Sequence, residues 1–178
     1  MKKFVSLALI FVLCFCVLCS CSNNTEGAPD GMKAVESSDK LDYNLYIPAH
    51  WVQDLSTGAV SAYVSNSDLS NVSMTQFNLE EMKPLDDFVA DYTKDLKDNL
   101  GSFTMSEGFP QKMILDGVEA QKFEYTASLA GNQYKYMQII CVNGGTIYYF
   151  TYTSLADNFD THTEDVQKII DNFTFKKK

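Results

Sequence analysis

This chain predicts an α+β domain built on a mainly antiparallel sheet, and three observations carry that prediction. Pro84 to Leu100 and Thr161 to Phe173 have the apolar rhythm of amphipathic helices. Before and between them the apolar residues alternate with period two, in runs short enough for strands. Those runs are punctuated by Asp116-Gly117, Gly131-Asn132 and Asn143-Gly144-Gly145, and Asp-Gly or Asn-Gly between alternating runs is a strong hairpin signal. The order is strands, helix, a meander of strands, helix, so the helices must pack on sheet faces. Two helices cannot cover both faces of roughly six or seven strands unless the sheet twists or part of one face stays wet.

Taken in order, Tyr43 to Ile47 alternates and stops at Pro48, a first strand ended by a turn that carries His50 and Trp51. Ala59 to Ser65 and Asn71 to Leu79 follow as an antiparallel pair joined by the polar turn Asn66 to Ser70. In the first helix Leu85, Phe88, Val89, Tyr92, Leu96 and Leu100 share one face. Pro84 suits its first turn, Asp86 and Asp87 complement its dipole, and Gly101 is expected as its C-terminal cap. Strands are then expected over Met113 to Leu115, Val118 to Ala127, Tyr134 to Val142 and Thr146 to Ser154. The last two are apolar or aromatic on both faces and belong in the centre, whereas Gln121 to Tyr125 alternates cleanly and keeps one face exposed. Val166, Ile169, Ile170 and Phe173 give the second helix, which Thr161-His162-Thr163-Glu164 opens with a capping-box pattern.

The first residues set a location. Lys2 and Lys3 precede an apolar run from Phe4 to Leu18, shorter than the roughly 20 residues of a membrane span and typical of a secretory signal. Leu18-Cys19-Ser20-Cys21 resembles the lipobox of bacterial lipoproteins. The resemblance implies cleavage before Cys21 and diacylation of its thiol, and two acyl chains anchor stably where one binds only reversibly. The plain alternatives are an ordinary secretory signal or an uncleaved anchor. Ser22 to Lys40 has the polar, Gly-, Pro- and Ser-containing composition of a tether, whose root-mean-square reach is roughly 25 Å. The expected organisation is a signal over residues 1–20, a lipid-anchored tether over 21–40 and one domain over 41–178.

Composition narrows the functions. No Arg occurs, and loss of Lys2 and Lys3 with the signal leaves 12 lysines against 23 acidic residues, a charge of −11. Nucleic acid is thereby an unfavourable partner, and phosphate chemistry would lack its bidentate fork. Cys141 is the one cysteine beyond Cys21, so the folded part holds neither an internal disulfide nor a cysteine zinc site.

The order of several short stretches is similar to that of the PsbP-like superfamily, which includes photosynthetic PsbP proteins and bacterial DcrB-type lipoproteins. These stretches are Tyr43 to Trp51, the helix start Leu85-Asp86-Asp87-Phe88, Asp116-Gly117-Val118-Glu119-Ala120, Tyr148 to Thr153, and Phe159 to Phe175. The resemblance implies an α/β/α sandwich around an antiparallel sheet, and relatives that serve as accessory or assembly factors. It supplies no catalytic residues.

Candidate sites are few. His50 and His162 would need each other and carboxylates to hold a metal, and are more simply surface and packing residues. Cys141 between Ile140 and Val142 reads as a small buried hydrophobe rather than a nucleophile. The acids from Asp157 to Asp165 lack calcium-loop spacing and suit helix capping. Trp51, Tyr136, Tyr148 and Tyr152 are the candidates for a binding surface, although Trp51 also suits a lid on the sheet end and tyrosine is simply common in strands. Neither cofactor nor metal is expected, and no catalytic motif is present. The expected function is that of a monomeric lipoprotein on the extracytoplasmic face of the cell membrane, which binds an envelope protein or component without catalysis. The alternatives are a small-molecule or lipid carrier with an apolar pocket between sheet and helix, or a hydrolase.

Overall fold

The computed structural model describes residues 27–35, 41–54 and 60–176. In chain order the strands are β1 (Met32–Ala34), β2 (Tyr43–Asn44), β3 (Tyr46–Pro48), β4 (Val52–Asp54), β5 (Val60–Ser65) and β6 (Asp68–Asn78). Helix α1 (Leu85–Asn99) leads into β7 (Gly101–Met105), β8 (Gln111–Leu115), β9 (Val118–Leu129), β10 (Asn132–Asn143) and β11 (Thr146–Leu155). A 3₁₀ segment (Ala156–His162), α2 (Thr163–Asp171) and β12 (Thr174–Phe175) close the chain.

The main sheet runs β4-β5-β6-β11-β10-β9-β7, with β8 also on β9, and its pairings are antiparallel. The predicted α+β class and the central place of β10 and β11 are both observed. Asp116 and Gly117 (φ 44° and 80°) and Gly144 and Gly145 (φ 59° and 84°) adopt the left-handed pairs that two-residue hairpins require. With Ala130 and Gly131 (φ 49° and 85°) between β9 and β10, these turns fix the register from β8 through β11.

Alternation assigns the two faces. Met74, Met137, Ile139, Cys141, Tyr148, Phe150 and Tyr152 point towards α2 and the N-terminal strands, where they join Trp51, Val166 and Ile169 in one core. Phe123, Tyr125, Ala127, Ile140 and Ile147 point the other way and pack beneath Val89 of α1. Helix α1 covers β9 and reaches across β10 to Tyr149 of β11 through Phe88 and Tyr92. On β6 and β11 the same face shows Asn71, Ser73, Thr75, Thr151 and Thr153, all half-buried. This is the wet portion that two helices must leave.

Several expectations change. Tyr43 to Ile47 is not one strand and lies outside the main sheet. It breaks at Leu45, so that β2 pairs with β12 and β3 pairs with β1. Strand β1 falls inside the stretch assigned to a tether, because Met32 and Val35 insert into the core and the Val35 N–H donates to the Leu45 carbonyl at 2.9 Å. Gly101 is not a left-handed cap. The chain passes directly from an extended Leu100 into β7, and positive φ falls instead on Ser102 (54°), where the β7–β9 register shifts. The capping box does not form either: the 3₁₀ segment runs into α2, His162 takes the cap position without a side-chain cap bond, and Thr163 Oγ1 donates to the Asp160 carbonyl at 3.0 Å.

The sheet therefore has two distinct ends. At the proximal end the N-terminal segment joins the fold, since the Ala49 N–H donates to the Gly31 carbonyl at 2.9 Å. The β5–β6 and β9–β10 turns, the end of β11 and the C-terminus of α1 lie there too. The β8–β9 and β10–β11 turns and the N-terminus of α1 occupy the distal end.

Candidate functional site

At the distal end the first turn of α1 faces β8 and β9 across an open cleft of about 490 Å³. Asp86, placed in that turn by the helix start at Leu85, accepts hydrogen bonds from Lys112 Nζ at 2.9 Å and from Gln121 Nε2. The hydrogen bond from Lys112 is the leading cause that holds the Asp86 carboxyl below its ordinary value, and in return Asp86 raises the Lys112 ammonium. Gln121 is buried between Phe123 on its own strand and Ile140 on β10, and Asp86 satisfies its amide. On one side of this bridge Pro84, Leu85, Ile114 and Glu119 line the cleft. On the other, Val89, Ala90, Thr93 and Pro110 line a second hollow of about 370 Å³. Ile114 is 61% exposed. The arrangement offers a mixed surface of apolar walls with a carboxylate, an ammonium and a carboxamide held in place. That chemistry suits binding.

The proximal end holds a polar network beside a pocket of about 270 Å³. Asp68 opens β6. Its Oδ1 accepts from Ser70 N at 2.9 Å and Ser70 Oγ at 2.6 Å, and its Oδ2 pairs with His162 Nε2 at 2.8 Å. Because Ser70 gives its proton to Asp68, the buried Ser154 hydroxyl donates to Ser70 Oγ at 2.8 Å. Burial pushes the Asp68 carboxyl up, but the hydrogen bonds from Ser70 and the ion pair with His162 outweigh it and the net shift is downwards.

Ser, His and Asp in contact invite comparison with a hydrolytic triad, and their order answers it. Activation of a serine requires histidine between the hydroxyl and the aspartate. Here Asp68 stands between the serines and His162, so the imidazole reaches no hydroxyl. The network ties the 3₁₀ segment to the β5–β6 hairpin.

The residues singled out from sequence are distributed as follows. Cys21 lies outside the described residues. Trp51, Tyr148 and Tyr152 are buried on the α2 side, with 0%, 1% and 0% exposure. The Trp51 ring meets His162 edge-on at 6.2 Å, and Tyr152 donates to the Phe159 carbonyl at 2.8 Å. Tyr136 is half-buried on the opposite face, stacked on Tyr125 at 4.8 Å. The four do not meet on one surface. His50 pairs with Asp165 at 3.5 Å, so each histidine has its own aspartate. Among the described residues no group of three or more His, Cys, Asp or Glu could hold a metal ion. Among the same residues no helix is long and apolar enough to cross a membrane. Cys141 is buried in β10, where desolvation pushes its thiol up to about 12. Asp68, Asp86 and Gln121 are the polar residues that sequence reasoning missed as site members; Asp86 stood out only as a dipole partner of its helix.

With this geometry in view, residues 22–175 match a protein family described as PsbP-like protein. A search of curated proteins gives no match. Solved structures share the fold at low identity. A Pseudomonas aeruginosa protein of unknown function is 16% identical over 83% of this chain and 99% of its own, with a TM-score of 0.61. Cyanobacterial PsbP from Synechocystis is 16% identical over 84% and 95%, with a TM-score of 0.58. The Ran-binding protein Mog1p of Saccharomyces cerevisiae is 8% identical over 81% and 95%, with a TM-score of 0.56. At such identities the likeness is one of fold.

Proposed function

The chain belongs to the PsbP-like proteins, and from that premise we propose that it is a membrane-anchored extracytoplasmic accessory factor of the cell envelope, which works by binding and not by catalysis. The lipobox-like Leu18 to Cys21 supports the anchor. The distal cleft carries the binding role. It is open, rigidly framed by α1 and the β8–β9 hairpin, and combines exposed Ile114 with the Asp86–Lys112 pair. The partner is an envelope protein, met by a monomeric chain whose acidic, arginine-free surface disfavours nucleic acid.

Two experiments test these parts separately. Cys21→Ser should move the protein from the membrane to the soluble fraction, and a variant that still sediments with membranes removes the anchor. Ile114→Glu should abolish recovery of cross-linked envelope partners in a pull-down while the anchored protein level stays constant. Unchanged recovery removes the cleft.

One observation favours a second reading, that of a carrier. The cleft lies between helix and sheet and holds several hundred Å³. Its charged members Asp86, Lys112 and Glu119 would then select a small molecule with polar groups at one end.

A further inference from the structure

Three large apolar side chains stand exposed at the proximal end: Leu69 at 71%, Leu129 at 59% and Leu155 at 44%. They lie on one face of the sheet. Asn71 pairs with Thr153, so two residues further out along each strand Leu69 and Leu155 are neighbours, and both line the same pocket with Tyr134. Leu129 lies two residues beyond Ala127, which pairs with Tyr134, and therefore points the same way. The leucines stand on three of four neighbouring strands, with half-buried Tyr134 on the fourth, and exposed apolar residues grouped in this way mark a contact surface.

The acids at this end are partly offset. Lys135 lies between Glu124 at 3.2 Å and Asp160 at 3.7 Å, with Asp157 outside these pairs, and on the C-terminal part of α1 Lys94 and Lys97 stand against Asp95 and Asp98. At the distal end Glu80, Glu81, Asp86, Asp87, Asp116 and Glu119 surround the turns, with Lys83 and Lys112 to offset them.

The chain itself arrives at this end. Met32 pairs with Pro48, the Ala49 N–H donates to Gly31, Trp51 follows two residues later, and its ring touches the His162 that holds Asp68, the neighbour of Leu69. Gly31 follows Cys21 by only ten positions, at most about 35 Å of chain. The sheet's own long strands, such as the 12-residue β10, extend about 40 Å away from that point.

We infer that the proximal end, through Leu69, Leu129 and Leu155, rests on the lipid bilayer and presents the distal cleft away from it. This rests on the anchored reading proposed above. The anchor supplies the high effective concentration that lets so small an apolar patch engage lipid, and the lysines among the nearby acids lessen the repulsion from anionic headgroups.

Full-length protein purified with its anchor and reconstituted into vesicles of phosphatidylethanolamine and phosphatidylglycerol tests the orientation, when the acyl chains carry bromine as a contact quencher of tryptophan. Leu129→Trp and Leu155→Trp should lose most of their added emission relative to unbrominated vesicles. Phe77→Trp, at an exposed distal position, should lose none, and buried Trp51 provides the constant background. Equal quenching at all three positions, or none at the two leucines, overturns the orientation. A blue shift that grows with protein density without quenching assigns the leucines to a second copy and overturns it as well. Sedimentation reads the anchor independently: a chain that sediments with vesicles but is not quenched keeps the anchor and loses this inference, and one that does not sediment loses both.

Discussion

The two ends of the sheet use polar residues in opposite ways. At the proximal end Asp68, Ser70, Ser154 and His162 turn inwards and satisfy one another, while leucines occupy the outside. At the distal end Asp86 and Lys112 remain at the surface, 60% and 80% exposed, and hold a cleft open. Exposed pairs contribute little to stability, whereas a buried network is costly to interrupt because each orphaned partner loses its hydrogen bond without regaining water. Stability is thus concentrated at the end where the chain arrives, and recognition chemistry at the other.

Mutations can break this contrast. Trp51→Ala removes the largest buried side chain of the proximal end and should cost about 3–5 kcal/mol in urea unfolding. Asp68→Ala should cost about 2–3 kcal/mol at neutral pH, because Ser70 and His162 both lose their acceptor. That second loss depends on pH with a defined sign. The folded Asp68 carboxyl lies below its usual 3.8, so its contribution is present above that pH and disappears as pH falls through the folded value. The gap between wild type and Asp68→Ala should accordingly close in unfolding series taken below about pH 4. A gap that stays constant down to strong acid would mean that the carboxylate is not what holds the hairpin. At the distal end Tyr148→Phe deletes the hydroxyl that donates to Asp42 at 2.6 Å and should cost about 1–2 kcal/mol, less than either proximal change. A larger loss there reverses the contrast. The smallest effect has the opposite sign: Ala130 holds φ 49° in the β9–β10 turn, and Ala130→Asn should raise stability by about 0.5–1 kcal/mol, since Asn tolerates the left-handed region.

How far the sequence spoke for itself depended on range. The β8 to β11 meander was legible because Asp116-Gly117 and Gly144-Gly145 are local signals and each strand carries its own alternation. Helix α1 was legible through its apolar stripe. Strands β1 and β4, three residues each, were not, since such lengths contain no measurable period and their pairing depends on distant partners. The tyrosines mark the limit for sites. Tyr148 and Tyr152 lie on a strand apolar on both faces, and only the layer above them, supplied by α2, residues 32–35 and residues 43–51, decides that they are core. The Asp68–His162 pair spans 94 residues and left no local trace, and Gln121 gave away nothing until Asp86 stood opposite it.

The outer edge of β9 has a consequence of a different kind. Two separate five-residue strands, β7 and β8, share it, and the opposite border of the sheet is the three-residue β4, whereas β6, β9, β10 and β11 run to 10–12 residues. A long open border would invite a neighbouring molecule to add its own strand. Among the described residues both borders are short, and the register shift between Gly101 and Thr104 interrupts one of them. Short, broken borders of this kind disfavour strand addition between copies of this chain.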